Sequence, residues 1–282
     1  MARRATHPQS TLRLVALEIR FPLTSRILTR GLWDALEEAL AKDLPNVEVL
    51  VEDADSTIPS DPDDAILRRV SRDSRRAVTL YAGAVTIELS DYAGYEKLRV
   101  LAEVILNAFW QSGNALQPTR MGLRYINEVK SSSVHGPEDK WQKPQAWEPY
   151  INGQLLTQID DPPESLCAYA TRGSIYMHAL DGKEQLSVDY GILSNGLLDP
   201  DGVLTLDESG PCFVMDIDAY LHILEAEMPT DTQGLLYKLK RLHNVIVAAY
   251  QWSITDRTRE IFSASQTDEP NDREPLLPAS NG

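Results

Sequence analysis

Cysteine is scarce in this chain, with only Cys167 and Cys212 among 282 residues. Two thiols so far apart make neither a disulfide framework nor a zinc-ligand spacing. Both lie in apolar, strand-like runs, SLCAYA and PCFVMDI, where the usual state is a buried free thiol. Long apolar runs are missing as well. Nothing approaches the ~18 apolar residues of a membrane span. The start, MARRATHPQSTLRLV, is charged but lacks the apolar core of a secretory signal. A cytoplasmic location without membrane contact is expected. Positive charge is also short, with 27 Lys and Arg against 42 Asp and Glu, giving a net charge of −15 and a pI near 4.7. Such a field repels phosphate backbones, so nucleic acid is not expected as a direct main ligand.

Catalytic signatures are absent too. The histidines at 7, 135, 178, 222 and 243 form no H-x-H, H-E-x-x-H or C-x-x-H pattern. The chain has no G-x-S-x-G elbow, no phosphate-binding loop and no G-x-G-x-x-G after a strand. The pairs Asp216/Asp218 and Asp199/Asp201 have no histidine or third carboxylate at ligand spacing, and D-P-D-G is ordinary turn chemistry. The sequence therefore assigns no catalytic residue, metal or cofactor.

What the chain does contain is periodicity. Its 43% hydrophobic and 24% charged residues suit a water-exposed protein with a sizeable core. Residues 1–11 are polar and expected to be flexible. A first α+β half covers 12–130. In it Val15, Leu17, Ile19 and Phe21 alternate with Ala16, Glu18 and Arg20, a strand closed by Pro22. Ile27, Leu32, Leu36 and Leu40 then recur at helical spacing. NVEVLVED reads as a strand, and two or three more are expected over AILRRVSRD, RRAVTLYAG and AVTIELSDY. Tyr95, Leu98, Leu101, Ala102, Ile105 and Phe109 form the stripe of a second helix, and TRMGLRYINEV closes the half as a strand. The order β-α-β-(β-β)-α-β resembles a ferredoxin-like split βαβ unit with an added hairpin, which sets the last strand antiparallel beside the first.

Residues 131–150 are polar, contain proline, and form a connector whose Trp141 and Trp147 are expected to pack against something. The second half, 151–262, reads as a short helix and a three-strand meander bending at Arg172-Gly173. A long helix follows, capped by Asp231 or Thr232, with the stripe Leu235, Leu239, Leu242, Ile246 and Ala249 and a break near Ser253-Ile254-Thr255. Residues 263–282 are polar and proline-rich, an acidic tail expected to be disordered, and 53–64 is an acidic loop. The expected class is α+β, with two antiparallel-rich β-sheet halves, stacked as layers, and three long helices.

Three landmarks carry a resemblance. EIRFP (18–22), TRMGLRYINEV (119–129) and LKRLHNVIVAAYQWSIT (239–255) are similar in order and spacing to a prokaryotic family described only as "sporadically distributed protein". The likeness runs over nearly all of 12–262. Met121 stands where that family prefers Ile or Leu, and Tyr250 where Phe is commoner. The family has no assigned activity. Its patchy distribution implies mobile elements and defence or toxin–antitoxin neighbourhoods.

Within these landmarks the candidate ligand-binding residues are Arg20, Arg124, Tyr125 and Asn127. On a strand Arg124 points away from Tyr125 and Asn127. One reading is an anion clamp by Arg124 with Arg20. The other, favoured because strand arginines are commonly paired, is a salt-bridged polar layer with Glu18 or Glu128. RRVSRDSRR supplies a candidate partner or anion patch in Arg68, Arg69, Arg72, Arg75 and Arg76, against the blander reading of a solvated turn. His243 reads as a core histidine bonded to a neighbouring strand. Three functions remain open. The favoured one is a non-enzymatic interaction component, an accessory, inhibitor or immunity factor whose partner is another protein encoded nearby. The second is a small-anion or nucleotide-sensing module on the Arg20/Arg124 face. The third is an enzyme of unfamiliar type, which needs His178, His222 or His243 beside a carboxylate in a cleft.

Overall fold

The structure, a computed structural model, describes residues 11–22, 30–51, 65–81, 83–111, 117–134, 141, 143–156, 170–180, 182–194, 204, 210–224 and 231–263. Residues 1–10, Ile27, the acidic loop, Cys167, Asp199, Asp201 and the tail after Ser263 lie outside them.

The alternating segment at the start forms β1 (Leu12–Arg20), followed by α1 (Arg30–Leu40), β2 (Asn46–Val51), β3 (Ala65–Val70), β4 (Arg76–Tyr81) and β5 (Ala84–Leu89). Next come α2 (Tyr95–Gln111) and β6 (Arg120–Lys130), then the short helices α3 (Ser131–Val134), α4 (Pro144–Trp147) and α5 (Gly153–Leu156). The meander is β7 (Ala170–His178), β8 (Gln185–Leu193) and β9 (Cys212–His222), and α6 (Thr232–Ser253) and α7 (Asp256–Ser263) end the described chain.

All nine strands join one sheet in the order β2-β3-β4-β5-β1-β6-β9-β8-β7, every pairing antiparallel. β1 lies beside β6, with Val15 opposite Tyr125 and Ile19 opposite Met121. The helix α2 thus carries the chain from β5 over β1 to β6, a split βαβ unit with the β3–β4 pair added at its side. The two halves do not stack as layers. They are parts of one sheet, sealed along the whole length of β6 by β9.

One face of the sheet holds the main core. Val15, Leu17, Ile19, Leu123, Tyr125, Phe213, Met215 and Ile217 pack there with the stripes of α1, α2 and α6. α1 lies against α2, α2 against α6, and α6 against β6 and β9. Asp231 caps α6 by accepting from the Gly234 amide at 2.8 Å. The helix ends at Ser253, where Ile254 turns extended and bridges to Ile151. The connector is pinned by Trp147, which is fully buried and donates its indole N–H to the Trp141 carbonyl at 2.7 Å.

No bulge interrupts β7 at Arg172-Gly173. Its register with β8 runs unbroken from Ala170 to His178. A Cβ on Gly173 would stand 2.6 Å from the Tyr190 ring, so glycine makes room for that phenol. On the other sheet face a smaller apolar cluster joins Leu14, Ile126, Leu193, Leu204, Cys212 and Val214.

Candidate functional site

Beyond that smaller cluster the helix-free face turns polar. Strand alternation brings Glu18 and Arg20 from β1, Arg120 and Arg124 from β6, and Asp216, Asp218 and Tyr220 from β9 to this face. Arg124 grips Asp216 through two bonds, Nε at 2.8 Å and Nη2 at 2.6 Å. Arg120 donates to Glu18 at 2.7 Å, lies 3.8 Å from Asp218, and covers the Tyr220 ring at 4.7 Å from its centroid. A Cβ on Gly122 would come within 3.3 Å of the Arg120 guanidinium, so glycine lets that side chain lie across the strand. Arg20 donates to Glu18 at 2.6 Å, and this hydrogen bond raises the arginine pKa.

Arg20, Arg120 and Arg124 thus each meet a carboxylate, and the register adds a further one to this face, Asp189 of β8 opposite Asp216. Burial pushes the Asp218 carboxyl above the usual range. Arg120 opposes that rise, and Asp216 and Glu18 add to it. The partner of Arg124 is Asp216, rather than the Glu18 or Glu128 expected from sequence. Glu128 is held by Arg13 at 3.0 Å.

Tyr125 and Asn127 occupy the opposite, helix-covered face. The Tyr125 hydroxyl is 2.9 Å from both the Tyr92 hydroxyl and His243 Nδ1. The His243 ring stacks on Tyr95 at 4.5 Å, and Lys240 Nζ sits 4.5 Å from the centroid of that phenol. Burial, helped by the Lys240 charge and opposed by Glu96, pushes the His243 pKa down to about 4, so the imidazole is neutral at pH 7. Asn127 Oδ1 accepts from Thr11 at 3.4 Å, and Thr11 lies 2.7 Å from the Tyr250 hydroxyl. The four candidate ligand residues thus split into two pairs that the sheet keeps apart.

Of the five arginines of the β3–β4 hairpin, Arg68, Arg69 and Arg76 are held at separate places. Arg68 meets Thr79 at 3.3 Å and Glu48 at 3.5 Å. Arg69 is buried, donating to the Leu44 carbonyl at 3.0 Å with Glu37 at 3.4 Å. Arg76 clasps Asp91 at 2.6 and 2.9 Å. Arg72 stands at the exposed turn, and the Arg75 amide is taken by Ser71 Oγ at 3.1 Å.

Histidine chemistry is similarly dispersed. His243 meets phenols, His178 Nδ1 lies 3.3 Å from the Ala179 carbonyl, and His222 sits edge-on to Tyr220. Among the described residues no group of three or more His, Cys, Asp or Glu is arranged to hold a metal ion. Burial pushes the Cys212 thiol up to about 12, far from a reactive thiolate. Sequence reasoning passed over one feature, the solvent-facing Tyr176, Leu180 and Tyr237 at the end of the β7–β8 hairpin and on α6. Which apolar residues a fold leaves exposed has no signature in sequence.

No known protein family and no curated protein matches the chain. Function must therefore be argued from this geometry. No described helix is long and apolar enough to cross a membrane.

Proposed function

We propose that the chain is a non-enzymatic protein-binding component, an accessory, inhibitor or immunity factor of a prokaryotic mobile-element, defence or toxin–antitoxin system. The system follows from the family resemblance of the three landmarks. The binding role is supported by one observation. The exposed apolar groups Tyr176, Leu180, Leu224 and Tyr237 lie toward one end of the fold, while the arginines of the sheet face are each held by a carboxylate. Clustered apolar exposure marks protein contact more often than chemistry.

Small-anion sensing through Arg20 and Arg124 has less support, because an anion there must displace Glu18 or Asp216 from a guanidinium that already holds it. The test is cross-linking and affinity capture of the protein at endogenous levels in its own host. One partner at near-stoichiometric yield, encoded beside this chain, is the expected result. Recovery of ribosomal and chaperone background alone counts against the reading.

A further inference from the structure

Pairing between β1 and β6 slips by one residue near its start. Leu12 faces Asn127 and Leu14 faces Ile126, so Arg13 has no residue opposite it. An extra residue on one strand is a β-bulge, which breaks alternation and disrupts the ladder locally. The side chains show the consequence. Leu14 joins the smaller cluster on the helix-free face, where Arg13 also reaches Glu128 at 3.0 Å. Leu12 packs instead on the helix-covered core. The pairing resumes at Thr11, whose carbonyl accepts from the Glu128 amide at 2.7 Å.

Asn127 stands against this bulge and is 4% exposed. Its side chain is satisfied at one end alone. Oδ1 accepts from Thr11 Oγ1 at 3.4 Å, whereas Nδ2 is shut off from solvent and has no hydrogen-bond partner. Thr11 is buried as well, and its hydroxyl lies 2.7 Å from the Tyr250 hydroxyl of α6. A hydroxyl has one hydrogen to donate. Thr11 gives its own to Asn127, so the phenol donates to Thr11. Burial raises the Tyr250 pKa, against the Thr11 bond and the Arg259 charge, which keeps that phenol protonated at pH 7. Donation thus runs one way, from Tyr250 through Thr11 to Asn127. It ends at an amide nitrogen with two hydrogens and nothing to receive them.

A buried donor without an acceptor is costly, and native proteins almost always supply one, from the protein or from ordered water. The strand neighbours of Asn127 are Leu12 of β1 and Met215 of β9, whose side chains accept no strong hydrogen bond. Water suits the place. It is small and neutral, it accepts from Nδ2, and it can return its hydrogens to the Tyr250 oxygen or to a strand carbonyl at the bulge.

We infer that the β1 bulge holds a buried water molecule bound by Asn127 Nδ2, which ties the start of β1 to β6 and α6. The inference is independent of the protein-binding role proposed above. It makes Asn127 a residue that binds solvent inside the fold rather than an external ligand.

The test uses the full chain, with a high-resolution crystal structure and water–amide NMR of the isotope-labelled protein. Density should place an oxygen at hydrogen-bond distance from Asn127 Nδ2. The side-chain amide should show a cross-peak to water whose sign marks a residence time longer than molecular tumbling. Asn127→Leu keeps the size of the side chain and should abolish that density. It should also speed hydrogen exchange of the Glu128 amide by about tenfold or more, while amides in the middle of β6 keep their rates. An Nδ2 with no oxygen beside it, or an amide that density shows turned over and bonded to protein at both ends, overturns the inference. So does a water that remains in Asn127→Leu, or a Glu128 amide that exchanges there at its native rate. The crystal structure of the native chain decides the matter even where the variant fails to fold.

Discussion

Asp216 and Asp218 stand two residues apart on one strand face, yet their surroundings set them against each other. Asp216 neutralises Arg124 through two short bonds, whereas Asp218 is crowded by burial and two neighbouring carboxylates. Asp216→Asn should cost roughly 1–3 kcal/mol, because a half-buried guanidinium loses its charged partner. Asp218→Asn should be neutral or stabilising at pH 7. Its folded pKa lies above the unfolded value, so the native state binds the proton more tightly and ionisation at higher pH works against folding. Urea denaturation of both variants at pH 7 decides this, and the reverse order of stabilities would contradict the layer described.

His243 makes a sharper case at the same scale. Its pKa is about 4 when folded, against an ordinary value of 6.5. Between those values the unfolded chain takes up a proton that the native state refuses, so stability falls with pH across that window, by up to about 3 kcal/mol, and flattens below it. The stability gap between the native sequence and His243→Gln should narrow over the same range in denaturation curves taken from pH 7 to pH 4. A gap independent of pH would remove the imidazole from the buried network. Were His243→Ala to leave Tm unchanged yet abolish the biological effect, the structural role would fail and an enzymatic one would gain.

Among the helices, α6 does the most to join the two halves. Its face of Leu235, Leu239, Leu242 and Ile246 is buried against β6 and β9, and Leu236 is buried with them. Lys240 leans on Tyr95 of α2 and Arg241 on Glu184 of the β7–β8 turn. Neither of these two cations is simply solvated. Leu242 is fully buried, so Leu242→Ala should destabilise by roughly 2–5 kcal/mol in thermal or urea unfolding. A loss below about 1 kcal/mol would mean that the helix packs loosely.

For the whole molecule, the pairing of β6 with β9 matters most. It runs from Arg120–His222 to Lys130–Cys212, across the boundary between halves that the connector suggests. Neither half closes its own sheet, so the chain should unfold in one cooperative transition, with tryptophan fluorescence and far-ultraviolet dichroism superimposing. Two separated transitions would show that the halves are independent. A fragment ending at 130 should associate through its open β6 edge, visible as concentration-dependent sedimentation.

The sequence by itself determined the elements. Period-two and period-3.6 patterns placed the strands and long helices, Asp231 was one of two cap candidates for α6, and the β-α-β-(β-β)-α-β order foretold the β1–β6 neighbours. It also determined that Arg124 faces away from Tyr125 and Asn127, since alternation along a strand is local geometry. What only the tertiary structure decided is which side chains meet across strands distant in sequence. The Arg124–Asp216 and Glu184–Arg241 pairs depend on register and on the seating of a helix, which no spacing along the chain encodes. The merging of two expected layers into one sheet was decided in the same way. An edge strand and a central strand have the same alternation, and only the presence of a partner for their hydrogen bonds tells them apart.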